Sequence, residues 1–399
     1  SGKITVIEVM DGYSAQKQGI RIGDVIIEAA GKKITPENIE QLPSLVKGKP
    51  GTMVNIKVLR NDEKDTLSFN LVREEIKVRS LSSYGFYPPN SHNVYMKLTN
   101  FSRSAADEVK NALQELSKKK KIKSIIFDLR GNPGGLLGVA VSISDKFLPP
   151  NDLVVTTKGR NPDNDKSYYS VQKPIVGKAR LVVLINDGTA SASEIFSGAM
   201  QDHDRGVILG TKSFGKGLVQ TVIPLNYNSS LKITTAKYFT PSGRWIQKIN
   251  YAENNKVITG VNNIIKKKYY TDHHRIVFSA GGITPDTVVL PYKKSAVTED
   301  LLAKGLFFQF ADHYYYLYPN RDFYKINDNR LFNDFVDYLK SNEYRYHSKV
   351  EKQVDQLIVE AQGNKLENNL LASLHQIKKQ FAIRAGLVLA LIFIFFGNR

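Results

Sequence analysis

A mixed α/β fold is predicted for this chain: a small β-rich module, then an α/β core, then a helical C-terminal region. Three observations predict it. Alternating apolar runs separated by polar and glycine-bearing turns occupy the first stretch. Two short continuous apolar runs, Ser124 to Leu129 and Leu181 to Ile185, each pass through a glycine-bearing turn into a helical pattern, as strands of a buried parallel sheet do. Past Lys293, apolar and aromatic residues recur at helical spacing. A chain of 399 residues is too long for one ordinary domain, and the divisions are expected at 1–76, 77–292 and 293–399.

With 42% hydrophobic and 24% charged residues the chain can bury real cores and is not a disordered sequence. Its net charge of +18 favours anionic partners in general, but a partner is inferred from clustered charge rather than from the total. The clearest cluster, Lys118-Lys119-Lys120-Lys121, closes an amphipathic helix, where cations suit the dipole. No aromatic stacking platform stands beside it, so a nucleic-acid partner is not expected. The absence of cysteine removes disulfides, thiolate nucleophiles and cysteine-ligated metals, and fits any compartment, an oxidising one included. No signal peptide is read at the N-terminus, where Ser1-Gly2 stand directly before a strand.

Taken in order, residues 3–10 (KITVIEVM) alternate and read as a strand. Gly19 to Ile27 is a turn running into a second strand. A short helix is expected from Thr35-Pro36-Glu37, with a capping residue before a first-turn proline, and Pro43 clouds its far end. MVNIKVLRN and LSFNLVR are two strands around the polar tip 61–65. The stretch SAQKQGIRIGDVIIEAAGKKI resembles the PDZ signature of short helix, glycine turn and GD-hydrophobic strand. PDZ modules bind a peptide tail as an added strand. In that family the carboxylate-binding glycine loop and the pairing strand lie upstream of the segment matching ITVIEVM, so the module is expected to be N-terminally incomplete in this sequence.

Residues 74–93, with Pro88-Pro89-Asn90, are read as the crossing into the second domain. Val94 to Leu98 is a strand, Ser104 to Leu116 a helix with Ala105, Val109, Leu113 and Leu116 on one face, and Ser124 to Leu129 a central strand. Arg130-Gly131-Asn132-Pro133-Gly134-Gly135 then opens a helical pattern reaching Phe147. Glycines at a strand-to-helix junction allow close backbone approach, and the helix start offers unpaired N–H groups. That suits an oxyanion hole, and equally a plain tight turn.

Leu181 to Ile185, Asn186-Asp187-Gly188 and a helical pattern place Ser191 at a helix start, where serine serves most often as an N-cap. Flanking Ala190 and Ala192 leave room for a substrate, and a strand-turn-helix setting follows the logic of other nucleophile turns. A serine nucleophile needs a proton acceptor. His203 is too far: at ~1.5 Å per residue, one helix separates it from Ser191 by roughly 18 Å. His273 and His274 read as a surface pair that only Asp272 could orient. Lys216, between Gly215 and Gly217, can enter a buried site, where desolvation favours the neutral amine. On the following strand Lys216, Leu218 and Gln220 are expected to share a face, so that Gln220 can hold the amine. Glu194, three residues after Ser191, either positions the site or is a first-turn acid favoured by the dipole. Gly210 to Lys216 fits the start of a phosphate-binding loop, but Gly217 stands where Ser or Thr is needed and a strand follows instead of a helix.

FDLRGNPGGLL, LINDGTASASEIFSGAMQDHDR, GTKSFGKGLVQTVIPL, TTAKYFTPSGRWIQ and GGITPD, in that order, resemble the C-terminal processing, or tail-specific, serine peptidases. The resemblance implies a PDZ module before a protease core with a crotonase/Clp-like ββα arrangement, and a catalytic serine followed 25 residues later by a lysine, as Ser191 and Lys216 are. It further implies Gln220 as support for the lysine, the amides of Ala192 and of Gly134 or Gly135 as oxyanion donors, and Glu194 and Asp202 as supporting acids. Tyr238 to Arg244 and Gly281 to Asp286 are placed in the core on the same ground.

A metal-free and cofactor-free endopeptidase acting on proteins or peptides with flexible C-termini is therefore expected, in the periplasm or cell envelope, with a homo-oligomer and envelope association compatible with it. The alternative is a catalytically inactive PDZ-type scaffold that binds peptides. Thr298 to Leu317 and Leu331 to Ala361 are expected to be helical, and the apolar run Ala385 to Phe396 is shorter than the ~20 residues of a membrane span.

Overall fold

Period-two burial organises the N-terminal sheet. The structure, a computed structural model, describes residues 3–10, 12–60, 65–76, 78–226, 229–248, 267–291, 294–318, 328–346, 348–363 and 371–377. The chain divides into two units, residues 1–76 with 293–399, and residues 77–292.

In the first unit, α1 (Ser14–Gln18) precedes β1 (Val25–Ala29) and β2 (Lys32–Lys33). A 3-10 turn, Pro36–Gln41, runs into α2 (Leu42–Val46), followed by β3 (Met53–Leu59) and β4 (Leu67–Val72). The four strands form an antiparallel sheet in the order β2-β1-β3-β4. Val54, Ile56 and Val58 of β3 are buried and their neighbours are not, which is how one apolar face of a pleated strand closes a small core. Asp24 is buried and paired to Arg60 at 2.8 Å, so the turn before β1 is tied to the end of β3. Residues 3–10 do not form the expected strand: they bond to Asp24 and Ile26 and make one bridge, Thr5 to Val25. Alternation alone does not make a strand when only two or three of its backbone groups find ladder partners.

In the second unit the order is β5 (Leu81–Phe86), β6 (Asn93–Leu98), α3 (Ala105–Lys119), β7 (Ser124–Asp128), α4 (Leu137–Ser144), β8 (Leu153–Gly159), β9 (Lys166–Tyr169) and β10 (Arg180–Ile185). Then come α5 (Ala192–Asp202), β11 (Val207–Gly210), β12 (Leu218–Pro224), β13 (Ser230–Phe239), β14 (Lys268–Tyr270), β15 (Ile276–Phe278) and β16 (Thr287–Val288). A six-stranded sheet runs β16-β11-β10-β7-β6-β5, parallel from β16 to β6 with β5 antiparallel at its edge. A second, antiparallel sheet runs β12-β13-β8-β9. β5 corrects the reading of 74–93 as a plain crossing: Leu81–Phe86 is short and mostly polar, and it is pairing with β6 that makes it a strand.

Helix α3 buries Ala105, Val109, Leu113 and Leu116, the predicted face, and Ala112 beside them, against this sheet. Helix α4 packs between α3 and α5. Phe127 of β7, Phe147 and Phe196 of α5 meet with ring centroids 5.0–5.7 Å apart and anchor α5 to the strand beneath it.

Back in the first unit, α6 (Ala296–Ala303), α7 (Leu306–Leu317), α8 (Asp328–Ser341) and α9 (Lys349–Gly363) follow. The two long helical stretches expected there are each broken, the first at Gly305, whose φ of +67° ends one helix and starts the next. Phe310, Tyr314, Phe335 and Leu339 are buried together, so these aromatics are core. Among the described residues no helix is long and apolar enough to cross a membrane, and Ala385 to Phe396 lie outside them.

Candidate active site

The parallel pairing of β7 and β10 brings two loops to one edge. Leu184 is paired with Asp128, so the chain leaves both strands side by side, 129–136 from one and 186–191 from the other. Crevices at the carboxyl ends of parallel strands are where such folds hold ligands. Buried Thr189 links the loops: its hydroxyl donates to the Leu129 carbonyl at 2.8 Å and accepts the Asn186 amide at 2.9 Å. Buried Asn132 is a second link. Its side chain donates to the Leu98 carbonyl at 2.8 Å, and its own carbonyl accepts the Ala190 amide and the Ser193 hydroxyl, both at 3.0 Å.

Ser191 stands between them and α5 with φ 56° and ψ −115°. A non-glycine residue held there costs on the order of 1–3 kcal/mol, and such strain persists where the surroundings over-determine it. Here they do. The Ser191 amide donates to Glu194 Oε2 at 2.8 Å, and Gly134 packs against the turn, with φ +97° and no room for a side chain. A Cβ on Gly134 would lie 2.6 Å from the Ala190 oxygen and 2.7 Å from the Ala192 nitrogen.

Lys216 comes from the irregular segment between β11 and β12, and Glu194 holds that segment as well. Its Oε2 accepts the Lys216 amide at 2.9 Å, and its Oε1 accepts the Gly215 amide at 2.7 Å and the Ser213 hydroxyl at 2.5 Å. Fully buried, this carboxyl is pushed up by desolvation and pulled down by its four donors, with a net rise above the usual carboxylate value. Gln247 accepts the Gly217 amide, and the Trp245 indole donates to the Gly217 carbonyl at 3.0 Å. The hydroxyl of buried Tyr238 lies on the carbonyls of both Ser191, at 3.1 Å, and Lys216. The Lys216 amine itself is half-buried. Desolvation, then the charge of Lys232, hold it below the usual lysine value, against an opposing pull from Glu194.

Ser191, Ala192, Gly134, Gly135, Lys216 and Gln220 line one cavity of about 380 Å³. Two expectations need correction. The Gly134 amide donates to Asn132 Oδ1 at 2.9 Å and is therefore engaged, which leaves the Gly135 and Ala192 amides as the oxyanion donors to be considered. The single face expected for Lys216, Leu218 and Gln220 does not arise by strand alternation, because β12 begins at Leu218 and its register shifts between Val219 and Gln220. Glu194 and Asp202 do not line the cavity. Glu194 lies beneath it as the shared anchor, and Asp202 at the far end of α5 accepts buried Arg244 at 2.6 Å and the half-buried Ser242 amide at 3.0 Å.

His203 caps α5, contacting Asp272 at 2.8 Å and the Leu153 carbonyl at 2.7 Å, so Asp272 serves this ring rather than His273 or His274. Asn132, Ser213 and the Tyr238 hydroxyl were not singled out by sequence reasoning. The only signal for them is that each is a polar residue inside a motif whose neighbours are glycines or core residues.

Residues 93–257 match peptidase family S41, residues 1–71 match the PDZ domain, and residues 297–384 match the probable PDZ-protease C-terminal helical domain. The chain is 37% identical over 249 residues to a carboxy-terminal-processing protease of Bartonella bacilliformis, covering 62% of this chain and 56% of that protein. It is 33% identical over 275 residues to carboxyl-terminal-processing peptidase 3, chloroplastic, of Arabidopsis thaliana, covering 65% and 52%. It thus spans about half the length of these relatives. A solved photosystem II D1 C-terminal processing protease aligns with 26% identity over 73% of this chain and 69% of that one, with a TM-score of 0.41.

Proposed function

We propose that this chain, which belongs to peptidase family S41, is a serine endopeptidase that cuts protein substrates near their C-termini with Ser191 as nucleophile and Lys216 as general base. The observation that carries the reading is that a strained serine at the head of α5 and a lysine of depressed basicity line the same cavity, with both backbones anchored on one buried carboxylate.

In this reading the neutral Lys216 amine takes the Ser191 proton as Oγ attacks the scissile carbonyl. The oxyanion is held by the Gly135 and Ala192 amides, at the loop and at the positive end of α5. Collapse of the tetrahedral intermediate breaks the C–N bond, and the Lys216 ammonium returns its proton to the leaving amine. Lys216, neutral again, activates the water that releases the acyl group. Gln220, on the cavity wall, supports the lysine. A periplasmic or envelope location follows from the resemblance and is compatible with a cysteine-free chain.

The test is incubation with an unfolded protein and, separately, with a serine-reactive phosphonate. Cleavage and a covalent adduct on Ser191, both lost in Ser191→Ala, support the assignment. Peptide binding with neither cleavage nor adduct would turn it toward a non-catalytic scaffold.

A further inference from the structure

The cavity wall carries a second cation that the dyad does not use. Lys232 on β13 is paired with Val222, and Thr234, two residues along, is paired with Gln220. Directly paired residues project to the same face, so Lys232 and Gln220 are diagonal neighbours on the face turned to the cavity. Both line it. Lys232 is exposed and has no hydrogen bond or ion pair among the described residues, whereas nearby Lys237 lies over the Trp245 ring at 4.5 Å. Among the described residues the cavity lining contains Lys216 and Lys232 and no Asp or Glu. Lys232 acts electrostatically on Lys216, and its charge is one of the causes that hold that amine below the usual lysine value.

We propose that Lys232 forms a carboxylate subsite, holding an acidic side chain or the terminal carboxylate of the substrate beside the bond to be cut. The inference rests on the peptidase reading for its substrate class. An ammonium on a strand wall with no acid beside it among the described residues presents three donors to an incoming anion. The occupant also suits the chemistry. When Lys216 takes the serine proton, two ammonium groups share one cavity, and a substrate carboxylate on Lys232 offsets their repulsion. With the subsite empty, the Lys232 charge lowers the basicity of Lys216.

Binding tests this without requiring turnover. The full chain carrying Ser191→Ala is titrated at low salt with labelled short peptides of Ala, Ser and Val. Glu or Gln is scanned through each position, and the C-terminus is either free acid or amide. One position, or the terminus, should bind about fivefold more tightly as the acid than as the amide, the scale of a single exposed ion pair, and the gap should close with added salt. That position tells a side chain from a terminal carboxylate. The ratio should fall to about one with Lys232→Met or Lys232→Gln and persist with Lys232→Arg. A ratio of one in the parent, or a preference surviving both neutral variants, overturns the subsite. Failure of the unsubstituted chain to cut any peptide would count against the peptidase reading, and the binding ratio would still decide the subsite.

Discussion

Glu194 accepts the backbone amide of Lys216 at 2.9 Å on the same oxygen, Oε2, that accepts the amide of Ser191 at 2.8 Å. One buried carboxylate therefore fixes the relative positions of two segments 25 residues apart. Replacing it by alanine leaves four donors, two of them buried, without this acceptor, a loss on the order of 3 kcal/mol. Glu194→Gln keeps the shape but opposes an NH₂ group to N–H donors. It should lower kcat by about 10²-fold with KM little changed, because misplacement of catalytic groups by ~1 Å has that effect. Steady-state kinetics on the folded variant check this, and an unchanged kcat would show that the anchor does not govern alignment.

The pH profile follows from the direction of the Lys216 shift. Burial and the Lys232 charge lower its pKa from 10.5, and Glu194 partly opposes them. Only the neutral amine accepts the serine proton. Activity should therefore be absent well below this depressed pKa, rise as pH climbs through it, and reach half-maximum below 10.5. Lys232→Met removes a positive neighbour and should move the ascending limb to higher pH. Lys216→Ala should cut kcat by about 10²–10⁴-fold, the contribution of a positioned base, and abolish the limb. A limb unmoved by either change would assign the titration to another group.

Gly134→Ala is expected to inactivate without unfolding the rest of the sheet. The new Cβ would press on backbone atoms of Ala190 and Ala192, which no flexible side chain can relieve, and φ +97° is unfavourable for alanine. Loss of phosphonate labelling at Ser191 with retained circular dichroism is the expected result. Normal labelling would mean that the nucleophile turn tolerates displacement.

Asp202 is expected to matter for stability. Its pair with Arg244 is buried on both sides, and Asp202→Ala leaves an uncompensated guanidinium in the interior, worth about 3–5 kcal/mol. Chemical denaturation should show the loss, while kcat per folded molecule stays near that of the parent. A stable but inactive variant would instead connect Asp202 to the chemistry.

Much of this architecture is written in local pattern. The apolar runs Ser124 to Leu129 and Leu181 to Ile185 are strands because they are buried in a parallel sheet, and the face of α3 follows from its 3.6-residue period. Ser191 at a helix start and Lys216 between two glycines were legible as candidates from residue type and setting. The strand Leu81–Phe86 was not, since its sequence carries no alternation and only pairing with β6 defines it. Nor were Asn132 and the Tyr238 hydroxyl, because a buried polar group reveals its role through partners distant in sequence.

By itself the sequence determined the kinds of chemistry available: a serine in a tight turn, a lysine freed by glycines, no thiol, and the order of strands and helices that carry them. The tertiary structure decided which backbone groups are engaged and which are left for a substrate. It gave the Gly134 amide to Asn132, tied both dyad segments to Glu194, and put Lys232 on the cavity wall. The reason is that periodicity and turn preference are properties of neighbours along the chain, whereas a hydrogen bond is settled only when two distant segments meet and each donor finds its acceptor.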